Sequence, residues 1–263
     1  MRATLGGAGI EYDVRGAGPA VLFLHAFPLG LSMWDAAVEA LAGRHRVVRF
    51  DARGFGGTPP DDEPLTMERI ADDGAALLGL LGIEKAVVAG CSMGGYAAFA
   101  FVRRHPERLA GLVLQDTRAG ADTEEARANR TSLAARVLEE GASAAAEAFL
   151  PKLVGETTKR ETPDLVEWLR ERILATSPAG IAQALHGLGA RPDSRETLGQ
   201  ISVPTLVVVG EEDVLTPPAE AEAMSTAIPG SRVAVMPRAG HLSNLENPSA
   251  YNDALAGFLD TPR

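Results

Sequence analysis

The chain has 263 residues, 46% of them apolar, and a formal net charge of −10. That is long enough for one large buried core, and the acidity argues against a phosphate-binding surface and so against nucleic acid as a partner. The single cysteine, Cys91, excludes an internal disulfide and a cysteine-based zinc site; with no signal-like apolar stretch at the amino terminus and no window near the ~20 apolar residues a membrane span needs, a cytoplasmic protein without a membrane partner is expected.

Short runs rich in β-branched and aliphatic residues, bounded by Gly, Pro or Asp, predict strands, and the segments between them have helical spacing. The first clear strand, 20–24, runs into the loop His25-Ala26-Phe27-Pro28-Leu29. After a second strand at 46–50, the residues Ile70, Leu77, Leu78 and Leu81 share one face of a helix over 67–81. Alternating strand and helix means a mostly parallel sheet covered on both sides, an α/β fold.

A third strand, 85–89, enters Gly90-Cys91-Ser92-Met93-Gly94-Gly95, and a helix over 96–105 follows. This is G-x-S-x-G in the strand–turn–helix context that exposes a nucleophilic serine. With 28 glycines and 11 serines, chance gives only about 0.1 such matches, so an incidental glycine-rich turn is the weaker explanation. The tight turn brings neighbouring backbone close, which glycine tolerates. It also aims the N–H of the residue after the serine, Met93, at a reacting carbonyl from a helix N-terminus. Cys91, at the x position, reads as a small packed side chain.

A strand at 109–114 leads to Asp116. From 118 to 198 there is no convincing strand. Instead 124–140, 143–153, 165–175 and 178–188 each suit a helix, with Pro and Gly between them. One crossover needs one helix rather than about four, so 118–198 is expected to be a helical cap inserted into a catalytic domain of 1–117 and 199–263.

Serine is a poor nucleophile until a histidine, held by a carboxylate, takes its proton. Of five histidines, His45 opens a strand and His105 ends a helix before Pro106, which suits structural roles; His186 falls in the cap. His241 differs from these: it follows a strand, 232–236, in a short glycine-containing loop where a strand end can present it to a site. The acid comes from the loop after strand 205–209, Gly210-Glu211-Glu212-Asp213, where Asp213 is favoured; Asp116 is the reserve choice. Ser92, Asp213, His241 is the nucleophile–acid–base order of α/β-hydrolases.

The segments 25–29, 51–56, 90–95, 210–217 and 240–248 resemble the α/β-hydrolase superfamily, and within it capped carboxylesterases, cofactor-free perhydrolases and 3-oxoadipate enol-lactonases. The resemblance implies an eight-stranded, mostly parallel sheet, no cofactor and no metal. It also implies a second oxyanion donor, the Phe27 N–H, beside that of Met93. Ala26 departs from the family, where glycine is usual, and Pro28 is shared with perhydrolase-like relatives, which implies a possible peroxide-using side reaction beside simple loop stiffening. His25 is expected to anchor this loop.

These residues predict hydrolysis of small carboxylic esters through an acyl-enzyme. Phe27, Trp34, Met93, Leu242 and, from the cap, Trp168 are candidate pocket walls. The alternative is enol-lactone hydrolysis, for which a dicarboxylate-derived substrate needs a cation facing the pocket; Arg118 is the sequence candidate. A catalytically silent binding module is the reading outside enzymology. Such a module would have little use for a complete elbow and triad.

Overall fold

Apolar runs without alternation become strands buried on both faces, and β3 (Ala20–Leu24), β5 (Ala86–Cys91) and β7 (Thr205–Gly210) are buried at every residue. With β1 (Arg2–Leu5), β2 (Ala8–Arg15), β4 (Arg46–Phe50), β6 (Leu109–Gln115) and β8 (Arg232–Met236) they form one sheet, in the computed structural model, which describes residues 1–261. The strand order is β1-β2-β4-β3-β5-β6-β7-β8. β1 and β2 pair antiparallel with each other and β2 with β4, while every later pairing is parallel.

Helices cover both faces. α1 (Asp35–Leu41) is followed by α2 (Met67–Leu80), whose first turn is capped by the Thr66 side chain accepting from the Arg69 N–H. α3 (Met93–Arg104) starts directly after Ser92 and packs under the sheet through Ala97, Ala98, Phe99 and Phe101. Between β6 and β7 lie α4 (Glu124–Glu140), α5 (Ser143–Leu153), α6 (Glu156–Glu161), α7 (Pro163–Leu174), α8 (Pro178–Ala190) and α9 (Arg195–Leu198). α10 (Pro218–Ala227), α11 (Ser243–Glu246) and α12 (Pro248–Leu259) complete the chain. Among the described residues no helix is long and apolar enough to cross a membrane.

The six expected strands stand within two residues of their expected ends. The eight-stranded sheet is as expected, but two of its strands and several helices had not been placed in the sequence, among them α6, whose sequence Glu-Thr-Thr-Lys-Arg-Glu has no apolar stripe. α8 sits hard on the sheet's loops: a side chain on Gly180 would collide with the Gly54 backbone, and one on Gly187 with the Leu65 carbonyl. Close packing of this kind fixes the inserted helices above the carboxyl ends of the strands, where the order reverses about β3 and ligands of α/β sheets bind.

Candidate active site

Ser92 follows β5 on a strained backbone, φ 52° and ψ −110°, a conformation L residues rarely adopt. The strain is held from all sides. The Ser92 N–H donates to the Gln115 carbonyl at 2.9 Å, and the Ser92 carbonyl accepts from Thr117 Oγ1 at 3.0 Å. Glycines let the chain turn here: a Cβ on Gly90 would strike the Gly94 carbonyl, and one on Gly94 would strike the carbonyl of Leu24. Gly94→Ala therefore pushes α3 away from the loop that follows β3. The expected result is a loss of about 1–3 kcal/mol in urea unfolding, with impaired ester turnover in the folded fraction.

His241 lies at the end of the β8 loop with its ring buried. Its Nε2 is 2.8 Å from Ser92 Oγ, and its Nδ1 is 2.8 Å from Asp213 Oδ2. Asp213 is fixed in turn. Its Oδ1 accepts from the N–H groups of Leu215 and Thr216, at 2.8 and 3.0 Å, and its Oδ2 accepts from Thr216 Oγ1 at 2.6 Å. Burial disfavours charge on both residues, but their mutual hydrogen bond and attraction outweigh it. Asp213 is held below the usual carboxylate range and His241 above the usual histidine value, with Asp116 and Glu246 adding to the latter. A histidine can act as base only when neutral. Turnover should therefore fall as pH drops through the raised His241 pKa, with the acid limb of kcat/KM above 6.5 and of one-proton slope. An acid limb below 6.5 in a pH–rate profile would contradict this electrostatic picture.

Asp116 is brought near but does not hydrogen-bond to the histidine. Fully buried and at φ 44°, it accepts from the N–H of Gly210 at 2.8 Å, from the N–H and Oγ of Ser243 at 3.0 and 2.6 Å, and from Gln115 Nε2 at 3.0 Å. It ties the Asp213 loop to the His241 loop, and burial together with the nearby Asp213 charge pushes its pKa up to about 7. Cys91 is buried, and burial raises its thiol well above the ordinary value. His25 accepts the Ala52 N–H at Nε2 and lies 3.0 Å from the Ala26 carbonyl at Nδ1, an anchored ring whose pKa burial lowers. His105 contacts Asp72 at 2.7 Å, and His186 is exposed.

Two backbone donors, Met93 and Phe27, are expected to hold the oxyanion. Met93 opens α3, so its N–H has no intrahelical acceptor. In the loop after β3, the Ala26 N–H is spent on Met33 Sδ, Leu29 donates to the Ala26 carbonyl, and Pro28 has no N–H. That leaves Phe27. Among the described residues only Ser92, Asp116 and Arg238 are non-glycine with positive φ, so Ala26 keeps ordinary L backbone and needs none of glycine's freedom.

A cavity of about 160 Å³ opens at Ser92 and His241. Phe27, Phe149, Leu153, Leu188 and Leu215 give it apolar walls; Tyr96, Arg118, Arg130 and Thr216 give it polar ones. Four expected wall residues are absent from it. Trp34 is fully buried in the core, stacked on Phe23 at 4.5 Å between centroids and tilted against Tyr251. Leu242 is fully buried behind the histidine. Trp168 sits partly exposed on α7 with the Arg172 guanidinium 5.4 Å over its ring. The Met93 side chain is also buried outside the cavity lining. Thr216, Tyr96 and Arg130 were not foreseen; only Thr216, three residues after the acid, carried a local signal.

The sheet, the strained serine turn and the Ser92–His241–Asp213 hydrogen-bond chain together define a hydrolase of the α/β type. The chain belongs to the alpha/beta hydrolase fold family, whose model matches residues 19–248. It is similar to a thermophilic esterase from Thermogutta terrifontis, solved with malate bound, at 43% identity and a TM-score of 0.95, covering 98% of this chain and 97% of that one. The enol-lactonase from Burkholderia xenovorans LB400 matches at 30% identity and a TM-score of 0.92, covering 98% and 99%. The 3-oxoadipate enol-lactonase 2 of Acinetobacter baylyi is 30% identical over 241 residues, 92% of this chain and 88% of that protein.

Proposed function

We propose that the protein is a serine carboxylesterase that cleaves small carboxylic esters through an acyl-enzyme. One observation carries the reading: Ser92 Oγ, His241 and Asp213 form a continuous hydrogen-bonded chain with both links at 2.8 Å. Ser92 Oγ attacks the acyl carbon as His241 Nε2 takes its proton, and Asp213 stabilises the resulting imidazolium. The N–H groups of Met93 and Phe27 hold the oxyanion, each such donor being worth about 2.7–4 kcal/mol. His241 then protonates the departing alcohol, and water deacylates Ser92 by the same steps in reverse roles. Residues 118–198 act as the cap, closing the acyl cavity with Phe149, Leu153 and Leu188.

Lactones present the same bond to the same nucleophile, and relatives named as enol-lactonases make them the second substrate class. A fluorophosphonate probe followed by peptide mapping tests the main reading. Stoichiometric labelling of Ser92, with turnover of p-nitrophenyl acetate and butyrate, is expected. An unlabelled Ser92 in folded protein would sink it and leave a binding module.

A further inference from the structure

The geometry points to an anion subsite in the cavity wall, built by Arg130 and Arg118 over the buried Asp122, that selects esters carrying a free carboxylate. The inference rests on the serine-esterase reading for the bond that is broken, and adds what the rest of the substrate looks like.

Three guanidiniums converge on one carboxylate. Asp122, with a fully buried side chain, contacts Arg130 Nε at 2.5 Å, Arg191 Nη2 at 2.8 Å and Arg118 Nη2 at 3.0 Å. Despite the cost of burial, Arg130 and Arg191 hold Asp122 far below the usual carboxylate range, so it stays ionised. Both terminal nitrogens of Arg191 are used: beyond Asp122 they donate to the carbonyls of Leu188 and Gly120, and the guanidinium lies 4.1 Å over the Tyr96 ring. The other two are not. Arg130 uses only Nε, and among the described residues its Nη1–Nη2 edge bonds nothing. Arg118 uses only Nη2, and its buried Nε has no partner. Both line the cavity that contains Ser92.

Three positive charges against Asp122 leave an excess of two, reduced for Arg118 by the more distant Glu220. A protein of net charge −10 thus turns a positive wall toward its nucleophile. A free guanidinium edge matches a carboxylate bidentately, and a half-buried site weakens screening. A cavity of about 160 Å³ beside Ser92 suits a small substrate. The substrate class is therefore a monoanionic ester, such as the half-ester of a short dicarboxylic acid.

The test compares monomethyl glutarate (carboxylate on the acyl part), butyryl glycolate (carboxylate on the alcohol part) and neutral methyl pentanoate. At low salt, one of the two anionic esters should exceed the neutral one in kcat/KM by about tenfold or more, and which one tells the side on which the anion sits. In Arg130→Gln that preference should collapse, mainly through KM, and added salt should erode it in the wild type. Glutarate should also raise the melting temperature of Ser92→Ala protein but not of the same protein with Arg130→Gln added, a readout that needs no catalysis. If neutral ester turns over at Ser92 without an anionic preference, and glutarate gives no shift, the subsite is wrong and the esterase reading stands. If glutarate binds through Arg130 while no ester is cleaved, the subsite stands and the esterase reading falls.

Discussion

Replacing Ser92 with alanine should lower kcat for p-nitrophenyl butyrate by a factor on the order of 10⁴–10⁶, about 5–8 kcal/mol of transition-state stabilisation. The size follows from the geometry. Ser92 Oγ is the group His241 Nε2 addresses at 2.8 Å, and Cys91 beside it is buried with its thiol pushed further from ionisation. No neighbouring side chain can take over the attack. What survives is the proposed oxyanion cradle of Met93 and Phe27, which would still polarise a bound ester for attack by water. Ser92→Gly should be equally inactive and yet more stable than Ser92→Ala. Both remove the hydroxyl, but only glycine relaxes at φ 52° and ψ −110°, where strain costs an alanine about 1–3 kcal/mol. The two variants separate chemistry from backbone in one experiment, read by ester turnover and by the melting temperature. A Ser92→Ala protein with turnover within tenfold of wild type would overturn the assignment.

Ser92, Asp213 and His241 were legible because each carries its signal in a few neighbouring residues: glycines around the serine, and a loop after an apolar strand for the other two. The central strands were legible for a related reason, since burial on both faces leaves continuous apolar runs such as 206–209. β1 and β2 are different. They form an edge hairpin in which polar residues alternate with Ala3, Leu5 and Ile10, and the turn at Gly6 and Gly7, both at positive φ, was the clue available. The cavity walls were the least legible part. Trp34 and Leu242 are as apolar as Phe149 and Leu188, and periodicity cannot separate a face turned to a cavity from one turned to the core. Arg191 meets Asp122 and Arg130 only after folding brings the distant 191 segment against 118–130. Among 25 basic and 35 acidic residues, nothing local marks that meeting.

Asp213→Asn should cost kcat a factor on the order of 10⁴, by setting the wrong histidine tautomer. Both backbone N–H groups, of Leu215 and Thr216, donate to Asp213 Oδ1, so an asparagine keeps its carbonyl oxygen there and places its NH2 where Oδ2 stood. That NH2 then faces His241 Nδ1, now 2.8 Å from a carboxylate oxygen. A donor in that place makes Nδ1 the acceptor and moves the ring proton to Nε2, the nitrogen that must be bare to take the proton of Ser92. The Thr216 hydroxyl turns to accept the second amide hydrogen, so the pocket stays filled. KM and the melting temperature should change far less than kcat. Fluorophosphonate labelling of Ser92 should slow in step with kcat, because it needs the same base. Asp116 sharpens the test, because it is the other buried carboxylate near the histidine. Its two oxygens already serve Gly210, Ser243 and Gln115, none of them the imidazole. If Asp213→Asn keeps activity within tenfold, the acid is Asp116, and Asp116→Asn should then show the 10⁴-fold loss instead. If Asp213 is the acid, Asp116→Asn should act by loosening the Gly210 and Ser243 loops, losing stability and kcat together while His241 keeps its tautomer.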